Sequence, residues 1–321
     1  MGRVHLINCL RLKNAKLVSV SDSSKKALQF AKKAGVKNVQ SDYNKLLNSH
    51  NPSIDAVIVS LPNFLHYECA KKAAEKGKDI FLEKPLARNV KEGKQILSHV
   101  KSGGVKLMIG YPLRFTESFA KLKGKLKSGL LGDVQVASAT NISAGPFSPR
   151  TETSGPTPVP AWWFNKELTG GGPLLDLGSH MINLLRWYFG DITHAESYLG
   201  HRFNMDFEDH AVCLLKFKDG PIATVNVGWF SKDYRVSVEL YGTAKHVSEV
   251  RSAPSLLDFA VDVIGRKFGR IERSAAPYYK ELQHFVECVN SNTAPCPSGE
   301  EGLADLETIE MAYKNIIRLD L

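Results

Sequence analysis

No stretch of this 321-residue chain carries the ~18 unbroken apolar residues that a membrane-spanning helix needs, so no membrane partner is expected. Cysteine is sparse and unpatterned. Cys9, Cys69, Cys213, Cys288 and Cys296 are odd in number and far apart. That excludes a disulfide framework and zinc-ligand spacing, and it reads as reduced thiols in a cytoplasmic protein with no bound metal. The opening residues, MGRVHLINCLRLK, lack the long apolar stretch and the small-residue cleavage site of a signal peptide. Nor does aromatic interleaving or a helix-turn-helix pattern accompany the basic charge. Residues 1–50 hold ten Lys or Arg against two Asp, within a net charge of +9. Lys25, Lys26, Lys32 and Lys33 read as the wet face of one helix, and no nucleic-acid partner is expected.

What is present is an ordinary globular composition, 43% hydrophobic and 23% charged, at a length that suggests two domains with their own cores. The first hundred residues alternate strand and helix. Short β-rich runs at Leu17–Ser21, Asp55–Leu61, Asp79–Leu82 and Lys106–Gly110 are separated by helical segments at Ser24–Ala34, His66–Lys76 and Val90–Lys101. Gly35 and Gly77 stand where two of those helices should stop. Strands separated by helices of this length imply a parallel sheet.

After Tyr111 the rhythm changes. A helix over Glu117–Ser128 and a strand over Val134–Ile142 precede Ser143–Pro160, which is rich in Pro, Gly, Ser and Thr and reads as a long loop bordering a pocket. HAVCLLKFKDG and PIATVNVGWF meet at Asp219-Gly220 as a hairpin, and RVSVELY adds a strand. The tail returns to helix at Tyr278–Asn290 and Gly302–Asn315. The expected fold is α/β: a Rossmann-like parallel-sheet domain over residues 1–112, then an α+β domain with a mostly antiparallel open sheet over residues 113–321.

Three clusters carry chemistry. In GGGPLLDLGSHMINLLRWYFG, residues 170–190, a helix should run from Pro173 to Gly190. Asp176, His180 and Asn183 share one face of it. An imidazole beside a carboxylate suits a general base, and the same spacing suits an Asp–His pair that only fixes packing. Glu83-Lys84-Pro85 closes a parallel strand, where ligands bind. Lys84 there can donate to a substrate hydroxyl, although a solvated turn would look the same. Ser60-Leu61-Pro62-Asn63, with His66 three residues on, closes another strand; turn chemistry accounts for the Pro-Asn pair without a ligand.

Taken with GYPLRF at 110–115 and YYKELQHFVECV at 278–289, these motifs make the whole chain resemble the glucose–fructose oxidoreductase / inositol dehydrogenase (Gfo/Idh/MocA) family. The resemblance implies hydride transfer between a nicotinamide dinucleotide and a hydroxyl carbon of a sugar, sugar derivative or polyol. It places Lys84, Asp176 and His180 at catalytic positions. His180 is the base, Lys84 polarises the reacting oxygen and Asp176 orients the pair. Gly2, Ser60, Pro62, Asn63, His66 and Glu83 fall at cofactor positions. Tyr111, Arg114, Trp163 and Asn183 fall around the substrate, with Asn183 standing where many relatives have Asp. A homodimer or homotetramer built through the second-domain sheet is also implied.

The chain departs from the pattern at its start. MGRVHL begins inside the GxGxxG turn, with Gly2 matching its last glycine and His5 a following histidine, so the first strand and two glycines are missing. Weak cofactor affinity is the expectation. Asp22, ending LVSVSD, suits the ribose hydroxyls of NAD, whereas Ser23, Ser24 and Lys25 suit the extra phosphate of NADP or, for the serines, a helix cap. Two rival readings stay open: a non-catalytic dinucleotide- or sugar-binding regulator, and a cofactor-assisted glycoside cleaver.

Overall fold

A computed structural model describes residues 1–48, 53–147, 159–203, 205–252 and 276–317. The chain divides into two compact units. The first holds Met1–Leu86, Lys91–Phe115 and Leu256–Glu300; the second holds Ala87–Val90, Thr116–Ser255 and Glu301–Leu321.

In the first unit, β3 (Ala56–Val59), β4 (Asp79–Glu83) and β5 (Leu107–Gly110) form a parallel sheet, with Ile58 opposite Phe81 and Leu82 opposite Ile109. Ile80, Phe81 and Leu82 of β4 are fully enclosed, as a central strand covered on both faces must be. The connecting helices are α4 (His66–Glu75) and α5 (Val90–Gly103). A separate parallel pair, β1 (Ser19–Ser21) and β2 (Asn38–Gln40), flanks α2 (Lys25–Lys33) and precedes α3 (Tyr43–Leu47). Among the described residues no strand joins β1 to β3, so the parallel sheet is in two pieces. The four lysines of α2 are exposed, as the wet-face reading expects. Gly35 and Gly77 adopt the left-handed backbone of helix stops.

The helix α1 (Gly2–Cys9) and the late helix α10 (Ala276–Ser291) complete this unit. Leu282 and Phe285 of α10 pack with Cys9, Phe81 and Met108, because the apolar stripe Leu282, Phe285, Val286, Val289 repeats at helical spacing. The tail therefore does not belong wholly to one consecutive C-terminal span: α10 sits with the strands of residues 1–115.

The second unit is built on a six-stranded sheet in the order β11-β10-β6-β9-β8-β7. Its strands are β6 (Val134–Ile142), β7 (Ile192–Gly200), β8 (His210–Phe217), β9 (Ile222–Gly228), β10 (Arg235–Gly242) and β11 (His246–Ser252). All neighbours are antiparallel except β6 and β9. Burial alternates along the strands. Ala211, Cys213 and Leu215 face the core, while Val212, Ile222 and Val136 face outward. Helix α6 (Glu117–Lys127), the short turns α7 (Lys166–Thr169) and α8 (Pro173–Asp176), α9 (Gly178–Phe189) and α11 (Gly299–Lys314) supply the rest. Most of the expected loop at Ser143–Pro160, residues 148–158, lies outside the described residues.

Candidate active site

In the first unit the expected residues gather at the carboxyl ends of β3 and β4. Gly2 opens α1 beside the end of β3, where a Cβ added to it would meet Ser60 Oγ at 3.2 Å. Only the end of one rotatable side chain stands there, and a helix start without a side-chain cap presents amide groups suited to a diphosphate. The residues present thus fit a dinucleotide at this point. Asp22 ends β1, and its Oδ1 accepts the Ser24 amide at 2.7 Å. Ser24 caps α2, accepting the Ala27 amide, so the capping role open to the serines falls to Ser24.

His66 is fully enclosed. Its Nδ1 lies 2.9 Å from the Pro85 carbonyl and its Nε2 2.9 Å from the Leu61 carbonyl. The ring clamps the end of β3 to the turn after β4 and has no face left for a cofactor, which corrects the expectation of direct contact. Burial is the main influence on it and pushes its pKa down. Glu83 is likewise enclosed; its carboxylate accepts from His5 Nε2 at 2.5 Å. Between these anchored neighbours, Lys84 alone of the Glu-Lys-Pro turn keeps partial exposure, as do Pro62 and Asn63. Tyr111 is 1% exposed and Arg114 6%, with Arg114 donating to Cys296 Sγ at 3.5 Å.

In the second unit the triple glycine is explained neighbour by neighbour. Asn165 caps α7, accepting the Glu167 amide at 2.9 Å, and Gly170 ends it at φ +89° with the Arg88 carbonyl 2.5 Å from where a Cβ would stand. A Cβ on Gly171 would meet the Tyr313 hydroxyl at 2.5 Å, and one on Gly172 the Glu208 carbonyl oxygen at 2.1 Å. Glu208, 2% exposed, accepts the Leu174 amide at 3.1 Å and the Tyr313 hydroxyl at 2.7 Å on the same oxygen. Burial raises its pKa, opposed by the Tyr313 hydroxyl and the Leu174 amide. Sequence reasoning missed both residues. Nothing in FEDH or AYKN marks them, because the contact spans 105 positions.

The expected single helix from Pro173 to Gly190 is two, with a break at Leu177 that keeps right-handed helical dihedrals. Asp176 and His180 therefore still share a side. Both remain partly exposed, whereas Leu174, Leu175, Met181, Ile182, Leu184 and Leu185 are sealed. Asn183 differs. It is 1% exposed and donates to Asp305 Oδ2 at 2.7 Å, with Arg186 Nε 3.3 Å from the other oxygen. The expected substrate contact at Asn183 is replaced by a buried pairing, one that an Asp at this position would turn into repulsion between carboxylates. At the other end of α9 the Lys123 ammonium donates to the Trp187 carbonyl and Tyr188 donates to the Phe119 carbonyl. Trp163 keeps partial exposure and packs at 5.9 Å between ring centroids from the buried Trp229.

Residues 1–111 match the family described as an oxidoreductase family with an NAD-binding Rossmann fold, and residues 119–248 match the GFO/IDH/MocA C-terminal domain. The chain is 27% identical to myo-inositol 2-dehydrogenase of Thermotoga maritima, over 94% of this chain and 89% of that protein. It is 28% identical to the NAD(+)-dependent scyllo-inositol 2-dehydrogenase of Bacillus subtilis, over 99% and 91%. Among solved structures, GenD2 from gentamicin A biosynthesis, in complex with NAD, superposes with a TM-score of 0.82 at 22% identity, covering 98% of this chain and 90% of that one. Levoglucosan dehydrogenase, in complex with NADH and levoglucosan, gives 0.79 at 20% identity, over 98% and 94%.

Proposed function

This chain belongs to the Gfo/Idh/MocA family of NAD-binding oxidoreductases, and on that premise we propose that it oxidises a secondary hydroxyl of a polyol or sugar, with Lys84, Asp176 and His180 as its catalytic residues. One observation carries the reading. In each unit the candidate side chains are left partly open beside sealed neighbours: Lys84 between Glu83 and Pro85, and Asp176 and His180 beside the buried Leu174, Leu175, Gly178, Ser179, Met181 and Ile182.

NAD, when bound, supplies the hydride acceptor. The chain's own residues do the rest. His180 takes the hydroxyl proton, Asp176 orients the imidazole, and Lys84 donates to the same oxygen as negative charge develops on it. Gly2, Ser60, Pro62 and Asn63 line the dinucleotide, and Asp22 takes the adenosine ribose hydroxyls, which favours NAD over NADP. His66 and Glu83 support these loops from behind. Trp163 offers an aromatic wall to the apolar face of a sugar ring, and Tyr111 and Arg114 are further substrate-binding candidates.

The test is NAD reduction at 340 nm with inositols, anhydrosugars and glucosides. Lys84→Ala and His180→Ala should each lower kcat/KM by about 100- to 10,000-fold. The double variant should lose much less than the product of the two, because both groups act on one oxygen. Full additivity would sink the reading.

The outward sheet face supports assembly through it. Val136, Tyr198, Val212, Ile222, Tyr241 and Val250 are all at least 37% exposed on one side, and clustered exposed apolar side chains of this kind often mark a protein interface. A homodimer or homotetramer is expected, and sedimentation velocity reading only monomer at micromolar concentration would remove it. No helix among the described residues is long and apolar enough to cross a membrane.

A further inference from the structure

Behind the Glu-Lys-Pro turn the first unit buries three titratable side chains from three separate elements. His5 of α1 is 2% exposed, Glu83 of β4 7% and Glu281 of α10 0%. One nitrogen or oxygen from each lies within 4.8 Å of the others. His5 Nε2 and Glu83 Oε1 already form a 2.5 Å hydrogen bond. Both oxygens of Glu281 are buried without a hydrogen-bond partner among the described residues, and so is His5 Nδ1. The charged groups acting on Glu83 are His5 and the chain's amino group from the α1 side and Lys84 on its own turn. Glu281 feels Glu83 across the cluster, and Tyr278, one turn earlier on α10, sets its ring edge against His5.

An ionised Glu281 would be a buried carboxylate with no donor among the described residues, facing a second carboxylate. Such a group is far cheaper as a carboxylic acid, which loses less on burial and carries a proton to share. Glu83 needs no such proton, because His5 supplies one. We propose that His5, Glu83 and Glu281 form a buried titratable triad, with His5 and Glu83 hydrogen-bonded and Glu281 held beside them as a neutral acid, and that this triad fixes the turn presenting Lys84.

The directions of titration agree. Burial, and then the nearby Glu83, hold the Glu281 carboxyl well above the usual range. Burial opposes ionisation of Glu83 as well, but the hydrogen bond and charge of His5 overcome it and hold that carboxyl low. A divalent cation would suit the same ligand types, yet a nitrogen and an oxygen 2.5 Å apart leave no room for an ion between them. His5, Glu83 and Glu281 are thus positioning residues for Lys84. His66 holds the other flank of the turn through the Pro85 carbonyl. Only this last step rests on the proposed role of Lys84.

The full chain with Glu281→Gln tests the triad by thermal melting across pH. An acid whose folded pKa is raised costs nothing below its unfolded value. Its penalty grows as pH rises toward the folded value. Glu281→Gln should therefore melt with wild type near pH 5 and above it, by about 3 °C or more, near pH 9. A variant less stable than wild type throughout, or a gap that does not widen with pH, overturns the neutral acid. Stabilisation of wild type by added ZnCl2 that disappears in Glu281→Gln would overturn it in favour of a cation site.

Positioning is read by acetylation of Lys84, followed by peptide mass spectrometry. The rate should stay within about twofold in Glu281→Gln and change by about fivefold in Glu281→Ala, because the alanine empties the space packed behind the turn. Glu281→Met, apolar and similar in length, stands in if the alanine variant does not fold. Equal rates in all variants overturn the positioning. A wild-type protein that reduces no NAD while the labelling pattern holds would instead remove the dehydrogenase reading and leave the triad.

Discussion

Helix α1 opens at Gly2 and the α8–α9 pair follows Gly172, yet the glycines serve opposite ends. At α1, Gly2 keeps the helix start bare beside Ser60, and Met1 supplies no side-chain cap. At α8, Gly172 makes room for Glu208, whose carboxyl takes the Leu174 amide. Amide groups at a helix start attract anions only where the protein has not already satisfied them. The first start is therefore suited to a ligand's charge, and the second is spent on holding its own helix still. A glycine before a helix is not by itself a binding signal; what occupies the missing Cβ position decides.

Changes at the two starts sharpen the contrast. Gly172→Ala puts a Cβ 2.1 Å from the Glu208 carbonyl oxygen, a backbone atom that cannot rotate away. It should cost about 3 kcal/mol or prevent folding, read by urea unfolding. Near-neutral behaviour would break the comparison. Glu208→Ala should cost about 1–3 kcal/mol by stranding the Leu174 amide and the Tyr313 hydroxyl. Glu208→Gln should cost less. Because burial raises the Glu208 carboxyl, its penalty appears as pH climbs above the ordinary carboxylate range toward the folded value. The glutamine variant should therefore lose less stability than wild type over that rise, and parallel pH profiles would show that Glu208 is ionised throughout. Gly2→Ala should have the smallest effect on folding, about 0.5 kcal/mol or less, since only the rotatable Ser60 hydroxyl stands at 3.2 Å. NADH titrated calorimetrically should nevertheless bind it several-fold more weakly.

Element by element, the strand-and-helix alternation before Tyr111 was readable because each unit of it is local. Apolar runs such as DAVIVSL and DIFL, and the left-handed glycines 35 and 77, depend only on near neighbours. The β8–β9 hairpin was readable for the same reason, since its turn lies between its strands. Reading failed where one side chain answers to a distant one. His66 looked like a ligand contact from its place after Asn63, but two carbonyls enclose it. Asn183 looked like part of a reactive stripe, but Asp305, 122 residues away, claims its amide. No periodicity reports such partners.

The order of residues alone determined the two-part architecture, the parallel and antiparallel sheets, and the short set of polar groups from which chemistry can be drawn. Those follow from local backbone preference and from which faces must leave water. Tertiary structure decided which of those groups stay open. Lys84, Asp176 and His180 keep exposure, whereas His66, Glu83 and Asn183 are sealed into supporting roles. The reason is that enclosure and pairing of a buried polar group depend on chain segments far away in sequence, which only folding brings beside it.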